Sequence, residues 1–340
     1  MPKRLLFIGA GGLAHSRAAC FARIAGVELA GVVSRTEASA RRLAEAHHMP
    51  AYGTDLEAVA ARVQPDAVSI ASINAAHHQH IMWALEHDLD VFVEGPMVVS
   101  AAQAEQVATL AQARGRIVEV GFQRRYHPTI QRARDFIQNK HFGPLIYGEV
   151  EFFWHMAPPP GQPASWYLDD TQSGGMAVCH MSYGLNTLRW VLGDPQRVVA
   201  AGSSLGFPPG QVDSGTLSAT LLYDSGAVGH IIASFVTPEG FPSGMMKVFC
   251  PEGGLAVQIL HEVCGTFWEG NDVVEIAPVP RVEGGGAWGG DDLQAQCEAF
   301  VRALETRQGL LNPPEDSAFE LRLIEGALES ARTRQPVELA

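Results

Sequence analysis

The stretch Phe7-Ile8-Gly9-Ala10-Gly11-Gly12-Leu13-Ala14 decides how this chain is read. It closes a short apolar run, "RLLFI", and opens an alanine-rich segment, "GLAHSRAACFARIA", whose apolar residues recur at helical spacing. The pattern is therefore Gly9-x-Gly11-x-x-Ala14 between a strand and a helix. Glycines in that place let the backbone turn sharply and approach a pyrophosphate, while the helix N-terminus offers N–H groups and a favourable dipole. The motif predicts a dinucleotide site made by Gly9, Gly11, Gly12, Leu13 and Ala14.

Outward from this loop, the apolar runs "ELAGVVS", "DAVSIAS", "DVFVE" and "RIVEV" alternate with the helical segments "EASARRLAEAHH", "DLEAVAARV", "HHQHIMWALEH" and "SAAQAEQVATLAQARG". Runs without polar alternation read as strands covered on both faces. Strand, helix, strand in strict succession predicts an α/β Rossmann domain, a doubly wound parallel sheet, over residues 1–121. From 122 to 340 the pattern changes. The runs "LIYGEVEFFWH", "RVVAAGSSLG", "GTLSATLLYD", "AVGHIIASFV" and "GLAVQILHE" alternate or end in tight turns, as in an antiparallel sheet. The helix "GGMAVCHMSYGLNTLRWVLGD" precedes most of them, two helices follow, and "PVELA" ends the chain as a candidate strand. The second domain is expected to be α+β with a large, mostly antiparallel open sheet, serving substrate binding and oligomerisation. Its C-terminal helix is a candidate to pack back on the first domain. "APPPGQPAS" and "PRVEGGGAWGGDD" read as loops, the first as an active-site flap.

Bulk properties agree with two domains at 340 residues. A net charge of −13 argues against nucleic acid or an anionic membrane as the partner, because both need clustered positive charge. No apolar run approaches the ~20 residues that span a bilayer. Five scattered cysteines without a CxxC pair read as free thiols in a reducing cytoplasm. His77, His78 and His80 have no acidic or cysteine partner placed nearby, so no metal site is expected.

The end of the second strand bears on the choice of cofactor. An acidic residue there would bind a ribose 2′-hydroxyl, but the chain reads Val33-Ser34-Arg35-Thr36. Ser34, Arg35 and Thr36 are suited to a 2′-phosphate, which favours NADP(H) and leaves NAD(H) open. The alternative is that Ser34 caps the next helix and Arg35 is solvated.

Four further stretches carry a resemblance. "INAAHHQHIMWALEHDLDVFVEGP" resembles an Asn-x-x-His helix followed by a Glu-Lys-Pro strand end, and "VGFQRRYHP" resembles Gly-Phe-Asn-Arg-Arg-Phe-x-Pro. "SWYLDDTQSGGM" resembles a tryptophan loop before a glycine-led helix, and "ALESARTRQPVEL" a final helix and strand. In order and spacing this set is similar to the Gfo/Idh/MocA oxidoreductases. The resemblance implies hydride transfer at a carbon bearing hydroxyl, carbonyl or imine, with a homodimer or homotetramer formed through the C-terminal sheet. It also implies cofactor contacts from Ser72, Asn74, His77, Glu94, Gly95, Pro96 and Gln123. The family's catalytic lysine falls on Gly95, its helix aspartate on Cys179, its histidine on Tyr183, and a second aspartate on Asn186.

Glycine can neither take nor give a proton, so the expected site donates protons more readily than it abstracts them. Cys179, Tyr183 and Asn186 are spaced to share one helical face, with Tyr183 as candidate acid and His180 as a second proton source near neutral pH. Tyr126, Trp166, Tyr167, Cys179 and Asn186 are candidate substrate contacts. The expected activity is an NADP(H)-dependent reductase of C=O, C=N or conjugated C=C in a small cyclic or sugar-like molecule. The alternative is a non-catalytic NADP(H)-binding sensor or partner protein. At Gly95 the sequence suggests a bend kept and a side chain removed, leaving open space beside the nicotinamide.

Overall fold

The computed structural model describes residues 2–156, 165–206, 215–241, 243–260, 264–277 and 291–339. Most of the expected flap and of the later glycine-rich loop lies outside the described residues. The chain divides into two compact units: Met1–Val98 with Ala102–Tyr126 and Val282–Ala318, and Val99–Ala101 with His127–Arg281 and Phe319–Ala340.

The first unit holds six parallel strands: β1 (Lys3–Ile8), β2 (Val27–Val33), β3 (Tyr52–Gly53), β4 (Ala67–Ile70), β5 (Asp90–Glu94) and β6 (Val118–Gly121). Their order is β3-β2-β1-β4-β5-β6, so the chain reverses direction across the sheet between β1 and β4. In a doubly wound sheet, ligands bind outside the carboxyl ends of the strands at that switch point. The connecting helices are α1 (Gly12–Phe21), α2 (Glu37–Ala46), α3 (Leu56–Val63), α4 (Asn74–Glu86) and α5 (Ala101–Arg114). The apolar runs form strands because both faces are covered: Leu5, Leu6 and Phe7 are wholly buried, as are Val91, Phe92 and Val93.

This unit differs from the expected split at residue 121, because the chain returns to it late. Helix α9 (Asp291–Thr306) sets Leu293, Cys297, Phe300 and Leu304 into the same core as Phe7, Phe21 and Phe92. The Phe300 ring lies 5.3 Å from that of Phe92, and Phe21 meets Phe92 edge-on at 5.8 Å. Polar clips fasten the returning segment. Arg124 pairs with Asp292 at 2.5 Å, Arg307 grips both oxygens of Asp90, and Arg125 pairs with Asp316 and donates to the Leu311 carbonyl.

The second unit is built on a sheet of order β14-β13-β12-β11-β7-β10-β9-β8-β15. These strands are β7 (Tyr147–Phe153), β8 (Arg197–Ser203), β9 (Thr216–Leu222), β10 (Val228–Ser234), β11 (Met245–Cys250), β12 (Gly253–Gln258), β13 (Cys264–Glu269), β14 (Asp272–Ala277) and β15 (Val337–Glu338). Only β7 and β10 run parallel; the other pairs are antiparallel. Buried and partly exposed residues alternate along β7, β9 and β10, as they must when one face is packed and the other is open. Helices α6 (Pro128–Gln138) and α8 (Ser182–Leu192) pack on each other and on this sheet. The remaining described elements are 3₁₀ turns at Gln123–Tyr126 and Trp166–Leu168, a short helix α7 (Asp170–Ser173), a π-helical turn at Ala177–Met181 and a last helix α10 (Pro314–Thr333).

Candidate active site

The dinucleotide loop lies at the carboxyl end of β1, beside the switch point. Gly9 has φ +103, and a Cβ there would lie 2.5 Å from the Ala71 carbonyl carbon. Only glycine fits so close an approach to the neighbouring strand end. Gly11 and Gly12 are the opposite case: both are exposed, and a Cβ on either would meet nothing within 4 Å. Gly11 caps α1 without any side-chain hydrogen bond, so the first N–H groups of the helix have no side-chain acceptor. An open glycine cradle at an uncapped helix N-terminus suits a pyrophosphate. Leu13 is half-buried, while Ala14 is wholly buried against the sheet and serves helix–strand packing.

At the end of β2, Thr36 and not Ser34 is the helix cap: its hydroxyl accepts from the Ser39 N–H at 3.3 Å. Ser34 Oγ and Thr36 Oγ1 each lie 2.8 Å from Ser39 Oγ, and Arg35 is exposed. Ser39 thus joins the hydroxyl cluster, although nothing in the spacing of the motif points to it. Three hydroxyls and an exposed guanidinium fit a phosphate monoester.

Past the carboxyl ends of β4 and β5, His77 is wholly buried, with its ring nitrogens each 3.0 Å from a carbonyl oxygen, of Pro96 and of Ser72. Burial draws its pKa down to about 4. The ring fastens the loop after β4 to the bend after β5. Ser72 Oγ is engaged by His80 Nδ1 at 3.0 Å, and Asn74 begins α4, buried. Among the described residues, no group of three or more His, Cys, Asp or Glu is placed to hold a metal ion.

The expectation of open space at Gly95 is overturned. The Gly95–Pro96 peptide is cis, and a Cβ built on Gly95 would lie 2.5 Å from Cε1 and 2.8 Å from Cδ1 of Phe122. Phe122 is buried, so an aromatic ring occupies the ground where a side chain at residue 95 would begin. Gln123 follows it, also buried. Tyr126, expected to touch substrate, belongs instead to the interior of the first unit. Its hydroxyl donates to Glu119 at 2.9 Å and accepts from the Leu311 N–H at 2.9 Å. The same carboxylate receives Gln296 and Asn312, and burial outweighs these bonds and pushes Glu119 up to about 7.

The helical stretch of the second unit changes the expected set further. Sharing of one face by Cys179, Tyr183 and Asn186 assumes 3.6 residues per turn, but Ala177–Met181 form a π turn, which winds more slowly. Cys179 is buried, bonded to Ser173, and burial pushes its thiol up to about 12. Asn186 is buried and donates to Glu320 at 2.7 Å, a carboxylate that also faces Arg189 at 3.3 Å. His180, expected to titrate near neutrality, is packed among Phe152, Phe235 and Trp154 at 4.6, 4.9 and 5.9 Å. Burial pulls its pKa down to about 3, so it carries no proton to give near neutral pH. Tyr183 is different. It is the second residue of α8, half-buried, with its ring parallel to that of Phe152 at 6.4 Å. Trp166 and Tyr167 stack on each other at 4.0 Å, both partly exposed.

Known proteins are similar to this chain in sequence and fold. Residues 3–122 match a model described as an oxidoreductase family with an NAD-binding Rossmann fold, and residues 130–256 match the GFO/IDH/MocA C-terminal domain. The chain is 28% identical to a D-xylose 1-dehydrogenase (NADP(+)) of Haloferax volcanii, over 92% of each chain. It is 26% identical to a UDP-N-acetylglucosamine 3-dehydrogenase of Acidithiobacillus ferrooxidans, over 87% of each. Among solved structures, a levoglucosan dehydrogenase complexed with NADH and levoglucosan superposes with a TM-score of 0.88 at 16% identity, covering both chains fully. An aldose–aldose oxidoreductase from Caulobacter crescentus gives 0.86 at 20%, again over both whole chains.

Proposed function

We propose a function from the premise that the chain belongs to the Gfo/Idh/MocA family of oxidoreductases, whose two domain models it matches. The reading is an NADP(H)-dependent reductase acting on a C=O, C=N or conjugated C=C of a small cyclic or sugar-like molecule. A bound nicotinamide dinucleotide supplies the hydride. The chain's own residues do the rest. The α1 N-terminus and the Gly9–Gly12 cradle bind the pyrophosphate, and Ser34, Arg35, Thr36 and Ser39 hold a 2′-phosphate. Glu94, at the carboxyl end of β5, accepts ribose hydroxyls. Tyr183 donates its hydroxyl proton to the reduced atom. A phenol, with an ordinary pKa of about 10, is a poor base but a competent donor at neutral pH.

The observation that carries this reading is the Phe122 ring packed against Gly95. With glycine there and an aromatic ring packed against it, residue 95 carries no amine to exchange a proton, so the proton must pass through another group, here the Tyr183 phenol. The activities of the sugar dehydrogenase relatives support a polyhydroxylated or sugar-like substrate. The test is NADPH oxidation over a panel of ketones, aldoses, imines, enones and sugar lactones. Turnover with at least one member is expected; tight NADPH binding with no oxidation anywhere would defeat the reading. That result would favour the second reading, a cofactor-binding sensor or partner protein, which draws support from the burial of Cys179, His180 and Asn186.

A cytoplasmic homodimer or homotetramer joined through the nine-stranded sheet completes the proposal. Val199 on β8 and Phe249 on β11 are exposed on that sheet. Among the described residues, no helix is long and apolar enough to cross a membrane.

A further inference from the structure

A charged side chain with no part in the glycine motif lies beneath it. Arg17, on α1 three residues past Ala14, is fully buried. Its Nη1 donates to the Ile70 carbonyl at 3.0 Å, at the end of β4, and its Nη2 donates to Glu94 Oε2. The guanidinium carbon stands 4.1 Å over the Phe92 ring. Gly121, which ends β6, makes room for the pair: a Cβ there would collide with Arg17 Nη2 and lie 2.7 Å from Glu94 Oε2. A guanidinium stays protonated at any working pH, and burying it costs several kcal/mol unless a carboxylate and further acceptors meet it. Here the charge is placed where three strand ends converge, at the ligand-binding edge of a doubly wound sheet.

We propose that Arg17 is a positioning residue for the cofactor: it pairs with the Glu94 carboxylate, holds it aimed at the end of β5, and ties that strand end to the helix whose N-terminus receives the pyrophosphate. The proposal rests on the cofactor reading above. One donor is spent on a backbone carbonyl and another on the carboxylate, so the fork fixes the orientation of Glu94 as well as its charge. Lysine, with its compact ammonium on a flexible stem, preserves the charge and loses the orientation. The nicotinamide ribose depends on Glu94; the adenosine phosphates do not.

The experiment measures dissociation constants for NADPH and for adenosine 2′,5′-bisphosphate, which lacks the nicotinamide riboside. It uses the full chain and the variants Arg17→Lys, Glu94→Gln and Arg17→Met with Glu94→Gln. Arg17→Lys is expected to weaken NADPH about tenfold or more while the bisphosphate changes less than twofold, and Glu94→Gln is expected to show the same split. The double variant removes both buried charges, so it is expected to melt close to the parent and still show the NADPH defect. Equal weakening of both ligands by Arg17→Lys, or no weakening of either, overturns the proposal. A parent chain that binds no nicotinamide dinucleotide overturns the cofactor reading itself and takes the proposal with it.

Discussion

At the bend after β5 and in the helical stretch from Ala177 to Leu192, titratable groups are absent in the one and withdrawn in the other, for different physical reasons. At Gly95 the side chain is absent and packing has closed over the place, with Phe122 against the glycine. In the helical stretch the side chains are present but drawn inward: Cys179 and Asn186 into hydrogen bonds, His180 into a cage of rings. A site closed by packing reopens only when the filling ring is moved. In the helical stretch Tyr183 alone of the four expected residues is not buried, and the proposed donor role rests on it.

A large effect is expected at the glycine loop after β1. Gly9→Ala adds a methyl against the Ala71 carbonyl at a backbone angle of φ +103, and NADPH affinity should fall about 100-fold, about 3 kcal/mol, in a binding titration. An unchanged affinity would mean the loop does not approach the strand end as described. Next, Glu119 tests how far burial controls charge in this unit. Its folded pKa of about 7 lies above the ordinary carboxyl value, so its contribution to stability is complete below pH ~4.3 and is lost as pH rises through 7. Denaturant titrations at pH 5 and pH 8 should show the parent losing about 3 kcal/mol more than Glu119→Gln. Equal losses would place the carboxylate's pKa near its ordinary range.

Gly95→Lys sharpens the comparison directly. Overpacking against Phe122 should cost about 1–3 kcal/mol in melting experiments, and the double variant with Phe122→Ala should lose clearly less than the sum of the two single costs. Additive costs would show that the ring is not what fills the place. The smallest effect belongs to His180→Phe, which replaces a neutral buried ring with another. Turnover is expected to stay within about twofold, because a group with pKa about 3 takes no part in proton transfer near neutrality. A large loss with melting unchanged would return His180 to the chemistry.

Legibility followed the range of the interactions. The parallel strands are plain because burial on both faces spells them as apolar runs, and Gly9 is plain because its turn against Ala71 needs glycine locally. The two-residue β3 is too short to leave a pattern. Strand β11 is apolar at Met245 and Phe249 on its exposed side as well, which blurs its alternation. Helix α6 carries Pro128 at its start behind a His127 cap, a local signal that was there to be used. The return of α9 to the first core depends on Phe300 meeting Phe92, more than two hundred residues apart in sequence, and no local pattern records that. The π turn hid the fate of Cys179 and His180, since counting by 3.6 fails across it. Arg17, Ser39 and Phe122 escaped because their meaning lies in what they touch.

The measurement that tests the account most directly is the rate of NADPH-dependent reduction of the best substrate by the parent and by Tyr183→Phe, alongside the NADPH dissociation constant. Loss of the donor hydroxyl should lower kcat about 10²–10³-fold while NADPH binding and melting temperature stay as they were. An unchanged kcat would show that the proton comes from elsewhere and that Tyr183 is only part of the wall.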